Sequence, residues 1–203
     1  MYIIGDVHGK FDQLAQKLST HDAPTLCVGD FSAKSHGCPH VNGYKFASVR
    51  GNHEYYNDLH PSILPYYGWW FGMAYIGGAS SIDKAYKTAG VDWFPEEEMS
   101  YREMGECGDW FLRNKPEIVV THEAPLEIKR SLVASRFGMQ AALEIKDSTS
   151  NFLQYLFDKH QPKLWVHGHH HVDYERKLDG TQFVGLGELS VLKVDDDGNF
   201  ERF

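Results

Sequence analysis

The chain has 203 residues, 42% hydrophobic and 24% charged, with 20 basic side chains against 28 acidic ones and a net charge of −8. That length sustains one domain with a sizeable core, and the ordinary composition excludes a fibrous or low-complexity chain. The acidic balance weighs against a dedicated nucleic-acid binder, which carries a basic face, although bound divalent cations would change the sign around a site.

The three cysteines (Cys27, Cys38 and Cys107) are odd in number and far apart, with no C-x-x-C pair. This points away from a disulfide framework or a zinc ribbon. The start, Met1-Tyr2-Ile3-Ile4-Gly5-Asp6, has no basic leader, and no apolar run approaches membrane-spanning length. The expectation is one domain over residues 1–203 in a reduced, soluble, cytoplasmic protein with no membrane partner. No residue pattern speaks to oligomeric state. Histidine is the anomaly: there are twelve, and His8, His53, His122, His167, His169 and His171 fall in motif-like places.

The apolar run Tyr2-Ile3-Ile4 enters Gly5-Asp6-Val7-His8-Gly9. A buried strand there would release a carboxylate and an imidazole on the same side of its C-terminal end. Phe11, Leu14 and Leu18 predict a helix over 10–19. Thr25-Leu26-Cys27-Val28 is a second strand, ending in Gly29-Asp30, with Cys27 as core. Residues 31–43 read as a loop. A third strand over 46–49 ends in Arg50-Gly51-Asn52-His53-Glu54.

Residues 66–78 are aromatic and glycine-rich, with Ala74-Tyr75-Ile76 as a strand. A helix over 96–112 is entered from Pro95, with Met99, Met104, Trp110 and Phe111 as buried contacts. The strand over 117–120 delivers Thr121-His122-Glu123-Ala124-Pro125. One or two helices follow over 141–159, with Phe152, Leu153, Leu156 and Phe157 inward. The strand over 163–166 delivers His167-Gly168-His169-His170-His171. Short antiparallel strands are expected over 174–178, 182–186 and 189–194, with Asp179-Gly180 and Asp197-Gly198 as hairpin turns. Strand, crossover and strand with polar residues at each C-terminal end is the α/β pattern, and such sheets bind ligands at those ends.

An isolated Asp-x-His after a strand is ordinarily just a polar turn. Here five apolar strands end in metal-ligating types: Asp6 and His8, Asp30, Asn52 and His53, His122, then His169 and His171. Imidazole, carboxylate and amide oxygen without thiolate suit Mn, Fe, Zn or Ni and not a closed structural zinc site. The set is too large for one tetrahedral ion. It suits two ions bridged by a shared carboxylate at ~3.5–4 Å, as in two-metal hydrolytic sites.

The blocks GDVHG, GDF, GNHE, THEAP and GHHH, in that order from Gly5 to His171, resemble those of the calcineurin-like metallophosphoesterases (D-x-H, G-D, G-N-H-[DE], H and G-H-x-H). The resemblance implies an α/β fold of four layers, two mixed β-sheets in a sandwich flanked by helices, with a dinuclear centre between the sheet ends. By position it implies one divalent transition metal on Asp6, His8 and His171 and another on Asn52, His122 and His169, with Asp30 bridging. Manganese is the first expectation, with iron, zinc or nickel as alternatives. His53 would stay off the metals and act with Asp30 in catalysis, donating a proton to the leaving oxygen or stabilising the phosphoryl charge. His167-Gly168-His169 is a second H-x-H register, but a glycine directly before the first ligand favours His169 and His171. His170 is expected toward solvent or substrate.

Compact size resembles the small prokaryotic or phage-type phosphoesterases, so the implied substrate is a small-molecule or nucleotide phosphodiester or monoester. The protein phosphatases of the superfamily read G-D-x-V-D-R-G in the second block. Here Ala33 replaces the second acid, and Lys34 replaces the arginine, keeping its charge without the bidentate fork. Arg50-Gly51-Asn52-His53-Glu54 resembles their third block alone, so a serine/threonine protein phosphatase is an alternative that the second block argues against. A nuclease or nucleotide phosphodiesterase is another alternative, without a basic track in the sequence. A catalytically silent scaffold is a third, opposed by the complete ligand set. Lys34, Arg50 and Arg136 are candidates for phosphate contact. Residues 77–81 and the aromatic Trp69, Trp70 and Phe71 are candidates for the cleft border, where rings would stack a nucleobase.

Overall fold

Side-chain alternation along the strands decides the architecture. In β1 (Tyr2–Ile4) the successive residues Ile3 and Ile4 are both buried, so both faces of that strand are covered. Ile3 joins Leu26, Val28 and Val49 in one cluster with Met73, Tyr75, Val120, Val166 and Val184. Ile4 instead packs with Cys27 against Leu14 and Leu18 of α1 (Phe11–Ser19). The first cluster is the layer between two sheets, and the second lies between one sheet and its helix. The computed structural model describes residues 1–203 except 21–22, 39–40, 42–44 and 82, so part of the loop expected over 31–43 lies outside the described residues.

One sheet is five-stranded: β11 (Phe200–Arg202), β10 (Val191–Val194), β1, β2 (Thr25–Cys27) and β3 (Phe46–Ser48) in that order. Its β1, β2 and β3 are parallel. The other is six-stranded, in the order β4-β5-β6-β7-β9-β8. There β5 (Met73–Ile76), β6 (Ile118–Thr121), β7 (Leu164–His167) and β9 (Thr181–Gly185) run parallel. Val119, Trp165 and Phe183 on its outer face meet α2 (Tyr101–Asn114) through Phe111, α3 (Leu126–Phe137) through Ile128, and α5 (Ser148–Lys159) through Leu153 and Phe157. A short α4 (Met139–Leu143) lies between α3 and α5. The result is two mixed sheets packed face to face with helices outside.

Several boundaries differ from the sequence reading, each for a local reason. Pro95 starts only a 3-10 turn, Pro95–Glu97. The helix proper begins after Ser100, whose hydroxyl accepts from the Glu103 N–H while the Glu103 carboxylate accepts from the Ser100 N–H at 2.8 Å. The aromatic segment adds an edge strand, β4 (Tyr67–Trp70), hairpinned to β5 across Phe71 and Gly72, both at positive φ. Helix α3 was not expected, because its apolar residues do not keep to one face. The C-terminal strands divide between the sheets. β8 (Tyr174–Leu178) and β9 form a hairpin across Asp179 and Gly180, at φ 47° and 88°. β10 (Val191–Val194) instead crosses to lie antiparallel to β1 and carries β11 (Phe200–Arg202) beyond it. Period-two alternation marks a strand without naming its partner.

Phe111 is fully buried under α2, so Phe111→Ala should cost ~3–5 kcal/mol of stability. Ser100→Ala, which removes only the cap, should cost ~1 kcal/mol. Urea unfolding of the two variants checks the order, and the reverse order would contradict the packing described.

Candidate metal centre

Because β1, β2 and β3 are parallel neighbours, Asp6, Asp30 and Asn52 leave the same edge of one sheet side by side. Parallel β6 and β7 bring His122 and His169-His170-His171 to the facing edge of the other. The two edges touch. A Cβ on Gly51 would stand 2.0 Å from Asp30 Oδ1, and one on Gly168 would stand 2.2 Å from Asp6 Oδ1, so each loop passes a carboxylate closely only as glycine. His8, Asp30, His169 and His171 have φ values of 47°, 48°, 65° and 51°. Left-handed backbone at non-glycine residues costs on the order of 1–3 kcal/mol each and persists where the surroundings over-determine it.

The donor atoms fall into two groups that share Asp30. Ligand atoms of Asp6, His8, Asp30 and His171 lie within 4.8 Å of one another, and so do those of Asp30, His122 and His169. His8 Nε2 and His171 Nε2 meet at 2.9 Å. His171 Nε2 stands 3.2 Å from Asp6 Oδ2, and His8 Nε2 stands 3.7 Å from Asp30 Oδ2. In the second group His122 Nδ1–H donates to the Val28 carbonyl at 3.2 Å. Its Nε2 then faces Asn52 Oδ1 at 3.1 Å and Asp30 Oδ1 at 3.4 Å. The Asn52 amide is oriented by Nδ2 donating to Ser81 Oγ at 3.1 Å, and that hydroxyl donates to buried Glu97 at 2.6 Å.

Such an arrangement of acceptors demands positive charge. Among the described residues no hydrogen-bond donor reaches buried Asp6 Oδ1 or Asp30 Oδ2, an expensive condition for a carboxylate. Burial pushes the His122 imidazole down, yet the carboxylates of Asp30, Asp6 and Glu123 outweigh it and hold the group at about 9. A proton there does what a divalent cation would do better. The donor set of imidazole, carboxylate and amide oxygen fits divalent metal ions, and Asp30 is common to both groups.

His53 belongs to neither group. Its backbone N–H donates to Asp30 Oδ1 at 2.8 Å, and its exposed ring lies 5.5 Å from that of His8 at the cleft. Burial lowers its pKa, against the pull of Asp30. Glu54 of the same block is buried and accepts from the N–H groups of Phe31 and Ser32, both at 2.9 Å, clasping the second block to the third. Burial and the Asp30 charge raise its carboxyl to about 7.

The spare histidines have structural partners. His167 is buried, with Nε2 on the Tyr174 hydroxyl and its pKa pushed down to about 3 by burial. It stands outside both ligand groups. His170, expected toward solvent or substrate, lines the cleft, and its Nε2 lies 2.8 Å from Glu123 Oε1. Glu123 is fully buried, lies 3.5 Å from His169 Nε2, and is paired with Lys129, which also pairs with Asp147 at the N-cap of α5. Burial raises the Glu123 carboxyl, but His169, Lys129 and His170 hold it well below the usual range. Sequence reasoning missed Glu123, Lys129, Asp147, Ser81 and Glu97 as supports. The THEAP block was a signal for Glu123. Lys129 lies on the helix that was not foreseen.

Of the phosphate candidates, Arg136 lines the cleft with His53 and His169. Lys34 instead lies over the Tyr55 ring, 5.1 Å from its centroid. Arg50 Nε donates to the Leu64 carbonyl at 3.0 Å, and its guanidinium covers Tyr66. Neither of these two lines the metal cleft among the described residues. Trp69, Trp70 and Phe71 do not border it either. Trp70 pairs with Met73 at the start of β5, the end of the sheet away from Ile76 and Thr121, and Trp69 packs on Trp110. Within 77–81, Ser81 does reach the site through Asn52. Ala33 is buried in the cluster beneath α1.

Comparison with known proteins is consistent with this geometry. No match is found among curated protein sequences. Among solved structures, the anchor protein GAP50 of the Plasmodium inner membrane complex aligns over 100% of this chain and 84% of its own, with 11% identity and a TM-score of 0.51. Phosphopantetheinyl hydrolase of Mycobacterium tuberculosis aligns over 92% of this chain and 89% of its own, with 14% identity and a TM-score of 0.49. A Staphylococcus aureus protein proposed as a 5'-nucleotidase aligns with all of this chain at 15% identity and a TM-score of 0.47. This chain spans only 52% of that relative. At these identities the likeness concerns the fold alone. The family model of calcineurin-like phosphoesterases matches residues 1–173, and the chain belongs to that family.

Proposed function

We propose that the chain is a dinuclear metal-dependent hydrolase of phosphodiester or phosphomonoester bonds in small-molecule or nucleotide-type substrates. The observation that carries this reading is Asp30, a buried carboxylate common to both ligand groups and left with an oxygen that no donor reaches. Asp6, His8 and His171 would hold one ion, and Asn52, His122 and His169 the other, with Asp30 between them. The ligand types favour manganese, and iron, zinc or nickel also suit them. Two such ions supply an activated water and the positive charge that phosphoryl oxygens need.

The chain's own side chains do the rest. The Val28 carbonyl sets the tautomer of His122, and Ser81 sets the face that the Asn52 amide presents. Asp30 fixes the backbone of His53, whose ring at the open side of the cleft donates a proton to the leaving oxygen or stabilises the phosphoryl charge. Arg136 lines the same cleft and makes no ion pair with a carboxylate among the described residues, which leaves its guanidinium for phosphate oxygens. Among the described residues no helix is long and apolar enough to cross a membrane.

Metal-stripped protein should regain hydrolysis of bis-p-nitrophenyl phosphate or p-nitrophenyl phosphate when manganese is restored. His53→Ala should lower kcat by ~10²–10⁴-fold, and unimpaired turnover in that variant would remove His53 from the mechanism. Glu123→Gln should weaken manganese binding by roughly 10–100-fold with an unchanged circular dichroism spectrum, because it orients His169 from behind. Unaltered affinity in calorimetry would reduce Glu123 to a packing role.

A further inference from the structure

The metal cleft does not end at the metal ligands. It has a volume of about 440 Å³ and is walled on one side by Val133, Arg136, Phe137 and His170. The same four side chains wall a second cavity of about 300 Å³, completed by Leu132, Ser135 and Val172. The two spaces therefore adjoin along these side chains, and Arg136 stands at their junction. The second space is lined mainly by carbon, and its volume is at the lower end of small-molecule sites.

Helix α3 explains how the cavity arises. Ile128 of that helix is buried toward the sheet, and Leu132 packs against the same cluster. Val133 is half-buried toward the cavity, and Phe137 at the helix end is 68% exposed. Val172 is exposed across from them on the loop that follows the ligand histidines. An apolar face beside a site is informative where single exposed apolar residues are not. The Arg136 guanidinium also lies 5.6 Å from the centroid of the Phe137 ring, so a cation suited to a phosphoryl group and an aromatic face suited to a planar ring adjoin one another.

We infer that this cavity is the subsite for the organic group of the substrate, and that the group is an apolar, ring-bearing alcohol esterified to the phosphate. The phosphoryl group lies at the metal centre within reach of Arg136. The ring passes between Phe137 and Val172 and covers Val133 and Leu132. His170, held by Glu123, keeps this shared edge in place. The inference rests on the hydrolase reading given above and adds the substrate class to it.

Non-hydrolysable phosphonates separate the two readings. Phenylphosphonate and methylphosphonate present the same phosphoryl oxygens and differ only in the ring. Each is tested as a competitive inhibitor of manganese-dependent hydrolysis of bis-p-nitrophenyl phosphate by the full chain. Phenylphosphonate should bind at least about tenfold more tightly, from the apolar area the ring buries. That preference should fall toward one in Phe137→Ala and in Val172→Ser, both at exposed positions. It should persist in Tyr101→Ser, an exposed residue away from both cavities. Equal inhibition by the two compounds in the unaltered protein overturns the subsite and leaves the hydrolase reading standing. A ring preference that survives both Phe137→Ala and Val172→Ser also overturns it. Absence of any metal-dependent turnover, with no inhibition to measure, overturns the subsite together with the reading on which it rests.

Discussion

Two carboxylates buried where no donor reaches all of their oxygens are the condition on which the rest of this structure depends. Asp6 and Asp30 sit at 0% and 1% exposure, each with one orphaned oxygen. Removing an ionised carboxylate from water costs several kcal/mol even after relaxation, and nearby cations and hydrogen-bond donors offset it. The protein supplies imidazoles whose lone pairs converge on the same space, a geometry that is unfavourable until positive charge fills it. Divalent ions bound there would stabilise the fold by mass action. Their loss would leave a strained knot of acceptors, with His122 taking up a proton instead.

Around that space each candidate ligand is held by something further out. His122 leans on the Val28 carbonyl, and Asn52 on Ser81 and through it on Glu97. Behind His169 stand Glu123, Lys129 and Asp147, which link the site to α3 and α5. His171 Nδ1 faces Glu188 at 3.4 Å, and Glu188 pairs with Lys10 at the start of α1. Helices on both outer faces of the sandwich thus end in the orientation of imidazole rings. This is how a fold stabilised by apolar layers transmits its rigidity to a polar centre.

The parts legible in the sequence were those with a short-range signature. Apolar runs closed by Gly5-Asp6, Gly29-Asp30 and Gly51-Asn52 marked β1, β2 and β3 together with what leaves their ends. The glycine at 168 favoured His169 over His167 in the sequence; in the structure a side chain at 168 would collide with Asp6, and His167 turns to Tyr174. Features set by distant partners were not legible. Helix α3 has no clean apolar stripe because it packs on the sheet along one face and walls a cleft along another. β10 alternates like β8 and β9 yet belongs to the other sheet, since its partner is a strand at the opposite end of the chain. Trp69 and Trp70 read by composition as core or as a stacking platform at the cleft, but their edge strand carries them to the far end of the sheet.

The shared position of Asp30 ties the geometry to the chemistry, and manganese titration by calorimetry on metal-stripped protein tests it most directly. Two ions per chain, with the second site lost or greatly weakened in Asp30→Asn, is the result this account requires. A single ion per chain, or two ions bound as tightly in Asp30→Asn as in the unaltered protein, would contradict it.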